Sequence, residues 1–244
     1  MQRLYVSCKS ISAGKINICD RKQLHYLKNV LRVKLGEKFM AFDEKGREYI
    51  SEVKDVLPES ITLLIKSTRS RAKAENLKIT VACAIPKKSK MDDIVDKLTQ
   101  LGVDRIMPLD TERVIAKLDN RKKADKHSRW RKIALSAAQQ SQRNTIAVIE
   151  PIQNIKKVLA NSNIYDLKLI PTLEGSRKSL KEIVSIFKPR NILIFIGPEG
   201  DFTGEEVAMA IKCGCIPITL GEAVLRVETA AIAVVSFLRL NENH

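Results

Sequence analysis

The fold is constrained most by an alternation of strand-like and helix-like segments that begins near residue 77. Strands are predicted at residues 77–85, 105–109, 166–171, 191–197 and 216–220, and helices at residues 90–101, 126–142, 178–187, 203–213 and 226–240. Strands that alternate with helices favour a mostly parallel sheet covered on both faces. We therefore predict an α/β domain over residues 77–244, with its ligand site beyond the carboxyl ends of the strands.

Residues 1–70 have a different pattern and are predicted to form a small β-rich domain. Turn residues separate short apolar segments, which lie at Leu4–Val6, Lys38–Phe42, Tyr49–Val56 and Ser60–Ile65. One helix interrupts them, with Asp20 as its N-cap. Its predicted apolar face consists of Leu24, Leu27, Val30 and Leu31. The polar residues 71–76 lack an apolar period and are predicted to be a linker.

The charge balance favours a polyanionic partner. The chain has 43 Lys and Arg against 28 Asp and Glu, a formal net charge of +15, and such an excess is typical of nucleic-acid binding. No apolar run is long enough to span a bilayer, and the N-terminus does not resemble a signal peptide. The five scattered cysteines do not form paired metal-ligand motifs. We expect a cytoplasmic protein with reduced thiols and with neither a membrane nor a metal partner.

The segment Asn191–Phe202 is the first candidate for a ligand-binding loop. Its apolar residues, typical of a buried strand, lead directly into Gly197-Pro198-Glu199-Gly200, whose glycines allow close approach of the backbone to a ligand. Thr203 and Glu206 then have the spacing of a capping box, which predicts a helix after the loop. The same four residues are also compatible with an ordinary tight turn, so both interpretations stay open.

A second segment, Ile218–Ala231, repeats the arrangement of strand, glycine-containing loop and helix. Arg226 and Glu228 lie near the predicted helix start among apolar or small residues. Charged residues in such surroundings need a partner, which is either a ligand or each other. Neither segment is a dinucleotide-binding fingerprint or a phosphate-binding loop with its lysine.

Together these segments resemble the paired C-terminal motifs of one family. The sequences FIGPEGDFTGEE and LGEAVLRVETAA are similar to those of the RsmE family in the SPOUT superfamily of methyltransferases. Further blocks in the same order resemble the family along nearly the whole chain. These are residues 25–32 (HYLKNVLR), 97–103 (KLTQLGV), 111–113 (TER) and 137–143 (AAQQSQR). The chain departs from the pattern at Asp201, where the family usually has glycine, and at Ala223, where it commonly has arginine.

The resemblance implies a fold and an activity. The expected fold is a small N-terminal PUA-like β-barrel followed by a SPOUT-type α/β domain with a C-terminal trefoil knot. The expected activity is methylation of N3 of one uridine in 16S ribosomal RNA, as part of rRNA processing in ribosome biogenesis. S-adenosylmethionine is the methyl donor, a homodimer is the active form, and 16S rRNA or the 30S subunit is the RNA partner.

In this superfamily, backbone groups of three loops hold the methyl donor. Carried onto this sequence, the cofactor-binding residues are Thr172, Leu173, Glu174, Ile196, Gly197, Pro198, Glu199, Gly200, Leu220, Gly221, Leu225, Arg226, Glu228, Thr229 and Ala230.

Two of these residues are candidate catalytic groups. Uracil N3 is a weak nucleophile while it is protonated, so methyl transfer requires a proton acceptor or stabilisation of the imide anion. Glu199 is the candidate base, or an acceptor that orients the donor, and Arg226 is the candidate anion stabiliser. In this hypothesis Glu228 holds Arg226.

The candidate RNA-binding residues are basic. Arg113 and Arg143 lie in the shared motifs and are expected to contact phosphate or the target nucleotide, although structural ion pairs explain them equally well. Arg3, Arg32 and Lys34 are further candidates on the N-terminal domain. Trp130, the single tryptophan, either stacks on a base or packs in the core, and packing is the stronger expectation.

Two other functions remain open at this point. One is a related methyltransferase that modifies a ribose 2′-oxygen in tRNA or rRNA. The other is a non-catalytic RNA-binding assembly factor on the same fold. Binding of S-adenosylmethionine separates the second alternative from both enzymes.

Overall fold

The computed structural model describes residues 1–70, 77–87, 90–113, 119–173 and 175–242. The predicted linker 71–76 and the candidate cofactor residue Glu174 lie outside the described residues. The chain divides into two compact units. The first comprises the described N-terminal residues and the segment Ala138–Ile146, and the second comprises the other described residues. The proposed domain bounds 1–70 and 77–244 stay a prediction.

The first unit is a six-stranded sheet with one short helix. Its strands are β1 (Gln2–Tyr5), β2 (Ile11–Ser12), β3 (Lys15–Ile18), β4 (Lys38–Phe42), β5 (Arg47–Leu57) and β6 (Ser60–Ser70). They follow the order β1-β4-β5-β6-β3-β2, and only the pair of β1 with β4 is parallel. Ile16, Phe39 and Leu63 are buried in its core. The predicted β-rich domain is thus confirmed, whereas β2 and β3 were not predicted.

The N-terminal helix follows its predicted cap but differs along one face. In α1 (Arg21–His25), Asp20 Oδ1 accepts a hydrogen bond from the backbone N–H of Gln23 at 2.9 Å. Leu27 is buried as predicted, but Val30 is 60% exposed. The prediction for Val30 was wrong because residues Tyr26–Val30 form a π-helical turn. Its wider turn rotates later side chains away from the face that regular α-helical spacing predicts.

The second unit contains an eight-stranded parallel sheet. Its strands are β7 (Lys78–Ala84), β8 (Arg105–Asp110), β9 (Val148–Ile149), β10 (Gln153–Asn154), β11 (Leu167–Pro171), β12 (Lys178–Ser179), β13 (Asn191–Ile196) and β14 (Ile216–Thr219). The order is β10-β8-β7-β13-β11-β14-β12, with β9 beside β8. Every pairing is parallel. Residues 192–196 of β13 are all buried, which is typical of a strand covered on both faces.

Within the described ranges, six α-helices accompany this sheet. They are α2 (Lys90–Gln100), α3 (Asn120–Gln140), α4 (Ile155–Ala160), α5 (Leu180–Ile186), α6 (Gly204–Lys212) and α7 (Val227–Asn241). The α/β class is confirmed, but α3 begins six residues earlier than predicted and α4 was not predicted. The strands β9, β10 and β12 were also missed, because two residues are too few to show a period. The trefoil knot stays a prediction.

Two smaller expectations can be compared with the structure. Trp130 is buried, and its indole N–H donates to Asp92 Oδ1 at 3.1 Å, so the expectation of core packing is confirmed. Across the described ranges, the structure contains no helix with the length and apolarity needed to cross a membrane.

Candidate functional site

A pocket lies beyond the carboxyl ends of three neighbouring strands. Loops that follow β11, β13 and β14 form it, together with the first turn of α7. Its volume is about 240 Å³, near the lower end of small-molecule sites and too small for a folded polynucleotide. The lining residues are Pro171, Thr172, Leu173, Arg177, Ile196, Gly197, Pro198, Glu199, Asp201, Thr219, Leu220, Gly221, Ala223, Val224, Leu225, Arg226, Val227 and Ala230.

The loop after β13 is a tight turn that would crowd a side chain at its first residue. A β-carbon on Gly197 would lie 3.0 Å from Asp201 Oδ1 and 3.3 Å from the backbone nitrogen of Phe202. The backbone N–H of Asp201 donates to the carbonyl oxygen of Pro198 at 3.0 Å and closes the turn. Glycine is therefore favoured at position 197 by the limited space around it and not by its φ.

Asp201 has a backbone conformation that glycine adopts most freely. Its φ is +59°, in the left-handed region that only glycine adopts freely and that Asp and Asn tolerate best among the other residues. The carboxylate accepts hydrogen bonds from the backbone N–H of Phe202 at 2.8 Å and from that of Leu173 at 3.2 Å. Asp201 thus connects the loop after β13 to the loop after β11.

Glu206 and Arg113 connect the loop after β13 to the residues that follow β8. The predicted capping box is present, since Thr203 and Glu206 exchange hydrogen bonds at the start of α6. The buried Glu206 carboxylate also accepts from the backbone N–H of Glu112 at 3.0 Å. Arg113 Nη1 donates to the carbonyl oxygen of Gly200 at 2.5 Å. The residues after β8 therefore hold both the loop after β13, through Gly200, and the start of α6, through Glu206.

The third loop leads from β14 into α7. Gly221 has a φ of +118°, which strongly favours glycine. Thr219 Oγ1 donates to the carbonyl oxygen of Gly221 and accepts from its N–H, at 3.0 and 3.2 Å. Arg226 occupies the N-cap position of α7, and its side chain is exposed at the pocket.

The segment after β7 provides partners for both acidic candidates, which the sequence did not indicate. Glu199 Oε1 accepts a hydrogen bond from the backbone N–H of Lys87 at 3.0 Å. Lys90 Nζ lies 2.9 Å from Glu228 Oε1 and forms an ion pair with it. The direct partner of Glu228 is thus Lys90, while Arg226 acts on it through charge; that Glu228 holds Arg226 stays a prediction. Because Lys90 is far from Glu228 in sequence, only the adjacent packing of α2 and α7 makes this pair visible.

The electrostatics of this region favour the ionised form of the Glu228 carboxylate and the protonated form of the Cys83 thiol. Partial burial acts to raise the pKa of Glu228, but hydrogen bonds from its own N–H and from Lys90 outweigh it and lower that pKa. Cys83, at the end of β7, is completely buried. Burial, together with the negative charges of Glu199 and Glu228, raises the pKa of the Cys83 thiol to about 12. A thiol that stays protonated is not a nucleophile at neutral pH.

The structure brings most of the predicted cofactor residues together. Those that line the pocket are Thr172, Leu173, Ile196, Gly197, Pro198, Glu199, Leu220, Gly221, Leu225, Arg226 and Ala230. Three candidates, Gly200, Glu228 and Thr229, lie next to lining residues in the chain but are not part of the lining. Sequence reasoning missed Arg177, which lines the pocket and donates to the carbonyl oxygen of Thr172 at 3.1 Å. Ala223 also lines the pocket, so a longer side chain at this position would reach the site.

The RNA-binding candidates have different environments. Arg32 and Lys34 are exposed on the first unit, and Arg32 has a φ of +51°. Arg3 is largely buried and pairs with Glu48 at 2.8 Å, while it also donates to Asn144 at 2.9 Å. Arg143, in the same unit, donates to Thr145 Oγ1 at 2.9 Å.

Comparison with known sequences identifies both parts of the chain. Residues 73–239 match the family described as RNA methyltransferase domain, and residues 18–66 match the RNA methyltransferase PUA domain. The chain is 29% identical to ribosomal RNA small subunit methyltransferase E of Bacillus subtilis, over 97% of this chain and 95% of that protein. It is 32% identical to the protein of the same name from Synechocystis, over 93% of this chain and 74% of that protein.

Solved structures give the same result. The structure of ribosomal RNA small subunit methyltransferase E from Neisseria gonorrhoeae, bound to S-adenosylmethionine, superposes with a TM-score of 0.85. It is 29% identical and covers 99% of this chain and 98% of that chain. A putative methyltransferase from Legionella pneumophila with bound S-adenosylmethionine gives a TM-score of 0.87 at 29% identity, over 98% of this chain and 97% of that chain. This chain therefore belongs to the ribosomal RNA small subunit methyltransferase E (RsmE) family.

Proposed function

We propose that this protein transfers a methyl group from S-adenosylmethionine to N3 of a uridine in 16S ribosomal RNA. The observation that carries the proposal is the pocket formed by three loops at the carboxyl ends of β11, β13 and β14, in a chain of the RsmE family. The names of its relatives support small-subunit ribosomal RNA as the substrate. The resemblance of the sequence motifs supports the uridine N3 atom.

The residues present fit the cofactor. Gly197 and Gly221 bring backbone close to the pocket without side chains, and Pro198, Leu220 and Leu225 offer apolar contacts suited to an adenine ring. The carboxylates Glu199 and Asp201 also line the pocket, and negative charge there is complementary to a sulfonium. Arg177 and Arg226 are cations suited to the carboxylate of a methionine moiety.

The cofactor supplies a methyl group on a positively charged sulfur, which a nucleophile about 3 Å away can accept. The protein must bind the base beside the pocket, remove or share the N3 proton, and stabilise the negative charge on the flanking carbonyl oxygens. We propose Glu199 as the proton acceptor, because its carboxylate both lines the pocket and is held by the N–H of Lys87. Arg226, exposed at the same pocket, is one candidate for the cation that stabilises this charge, and Lys90, which pairs with Glu228, is the other.

We propose that exposed Lys and Arg side chains bind the RNA backbone. The formal charge of +15 supports this, because each phosphate neutralised by Lys or Arg releases counterions. Arg32 and Lys34 on the first unit are the exposed candidates there. We also propose that the protein acts as a homodimer on 16S rRNA or the 30S subunit, as the family resemblance implies.

Binding and transfer assays test the proposal. Isothermal titration calorimetry with S-adenosylmethionine should show one site per chain, which the assembly-factor alternative does not predict. Tritiated methyl groups should then enter 16S rRNA, supplied either naked or as 30S subunits, and should not enter 23S rRNA. Sedimentation velocity reports the oligomeric state. Absence of cofactor binding, or labelling of 23S rRNA alone, would overturn the proposal.

A further inference from the structure

We propose that Lys90 is the cation that stabilises the uracil imide anion during methyl transfer, and that Glu228 is its positioning residue. This inference rests on the proposed function and adds a residue from the segment after β7 to the site. Lys90 was not a candidate in the sequence. Glu228 was assigned there to Arg226.

The first argument is the geometry around Glu228. Lys90 begins α2 and Glu228 lies in the first turn of α7, and their side chains meet at 2.9 Å. The pair is partly exposed, at 32% for the Lys90 side chain and 24% for that of Glu228. The Lys90 ammonium has three N–H donors. It can therefore donate to a carbonyl oxygen of the base while another N–H keeps the hydrogen bond to Glu228.

The second argument is the position of the pair beside the donor pocket. Val227 and Ala230, which flank Glu228 in α7, line the pocket. Glu199 lines it as well, and the N–H of Lys87 in the segment after β7 holds the Glu199 carboxylate. The negative charges of Glu199 and Glu228 both act on Cys83. Glu228 is therefore adjacent in the chain to residues that line the pocket, whereas the ion pair itself is not part of the lining.

The third argument concerns the second oxygen of Glu228. Glu228 Oε2 is buried and has no hydrogen-bond partner among the residues that the structure describes. Such an atom in a native protein calls for an explanation, and a polar ligand group is one. Among the same residues, Arg226 acts on Glu228 through charge alone, whereas Lys90 forms the direct contact.

Methyl transfer to N3 requires a cation or hydrogen-bond donor beside the flanking carbonyl oxygens of the base, and we assign this role to Lys90. The N3–H bond breaks, the proton passes to the Glu199 carboxylate, and the electron pair is shared between N3 and the two flanking carbonyl oxygens. That pair then forms the bond from N3 to the methyl carbon, while the pair of the carbon–sulfur bond remains on sulfur. An ammonium that donates to one carbonyl oxygen stabilises the anion more than the neutral base. It therefore lowers the pKa of the bound uridine N3–H.

The test is the pH profile of the single-turnover rate on 30S subunits with saturating donor. Lys90→Met should lower the rate at neutral pH by about 100-fold, the usual effect of removing one donor to a developing oxyanion. The defect should shrink as pH rises, because the acid limb moves upward by about two pH units. Lys90→Arg should keep most of the rate. Glu228→Gln should shift the limb in the same direction by a smaller amount, since the ammonium is then less firmly held.

A chemically altered substrate separates this role from a structural one. Ribosomal RNA transcribed with 5-fluorouridine has a more acidic N3–H, so it should restore much of the rate of Lys90→Met. Affinity for S-adenosylmethionine, measured by calorimetry, should stay within about twofold of wild type in Lys90→Met and Lys90→Arg. Lys97→Met, which removes a lysine paired with Asp96 elsewhere on α2, is the matched control and should behave as wild type.

The outcomes are distinguishable. A wild-type protein that forms no N3-methyluridine overturns the proposed function itself. An active wild type with a Lys90→Met variant of unchanged pH profile overturns only the role of Lys90. A pH shift found in Arg226→Ala but not in Lys90→Met assigns the anion to Arg226 instead and also overturns the inference.

Discussion

Replacing Asp201 with alanine removes two hydrogen bonds and leaves a β-carbon in a left-handed backbone conformation. The lost bonds are those from the N–H groups of Phe202 and Leu173, at 2.8 and 3.2 Å. Because Asp201 is partly exposed, we take their combined contribution as about 2 kcal/mol. The φ of +59° is retained, so Asp201→Ala should lower the free energy of unfolding by about 2 kcal/mol.

A series at the same position separates the hydrogen bonds from the backbone conformation. Asp201→Gly loses the same bonds but adopts positive φ without strain, so it should be more stable than Asp201→Ala by about 1 kcal/mol. Asp201→Asn keeps one acceptor oxygen and a tolerance for this conformation, and should lie between glycine and wild type. Urea denaturation measures the order, which is wild type, Asn, Gly and Ala from most to least stable.

The same series should affect the cofactor, because Asp201 connects two loops of the pocket. We expect Asp201→Ala to weaken binding of S-adenosylmethionine about fivefold, which corresponds to about 1 kcal/mol of lost preorganisation. Calorimetry measures this. If alanine and glycine variants are equally stable and both bind the cofactor as tightly as wild type, the role assigned to Asp201 is refuted.

Three further predictions follow from individual contacts. Glu206→Gln should destabilise the protein by about 1–3 kcal/mol, because the buried Glu206 carboxylate accepts hydrogen bonds from the N–H groups of Thr203 and Glu112. Thermal unfolding measures the loss, with substitution of the exposed Glu205 by Gln as the control. Equal Tm values for the two variants would contradict the role of Glu206. Arg3→Ala should lower Tm by about 2–6 °C through loss of its contacts to Glu48 and Asn144. Arg32→Ala should instead leave Tm nearly unchanged and reduce the salt dependence of rRNA binding by about one phosphate contact. A lower Tm for Arg32→Ala together with a weaker salt dependence for Arg3→Ala would contradict both assignments. At pH 8, Ellman's reagent should modify the exposed Cys19 in the folded protein. Burial raises the pKa of Cys83 and of Cys215 to about 12, so these two thiols should react only after denaturation. Rapid reaction of Cys83 in the folded protein would contradict its burial.

The elements that sequence predicted well are those with a strong local signal. The apolar residues of β13 and the Thr203–Glu206 capping box both depend on neighbours in the chain, and both are present. The strand–helix alternation likewise predicted the parallel sheet. Two-residue strands and the π-helical turn at Tyr26–Val30 have no comparable local signal. Val30 was misplaced for that reason.

The candidate site was predicted where backbone conformation demands a residue type, and was missed where partners are distant. Gly197 and Gly221 were identified because glycine reports a spatial or dihedral requirement. The pairing of Glu228 with Lys90 was missed, since residues 138 positions apart meet only through packing of α2 against α7. The side-chain partners of Arg3 were likewise missed, because Glu48 and Asn144 are distant in sequence; its role in RNA binding stays a prediction.

The central claim is that this protein methylates a uridine base at N3, and the chemical identity of the product tests it most directly. After 30S subunits are incubated with the purified protein and S-adenosylmethionine bearing a deuterated methyl group, the 16S rRNA is digested to nucleosides for liquid chromatography and mass spectrometry. The account predicts one labelled nucleoside that co-elutes with N3-methyluridine and is absent for the Glu199→Gln variant. A label on a ribose 2′-oxygen, on another base, or on none would contradict it.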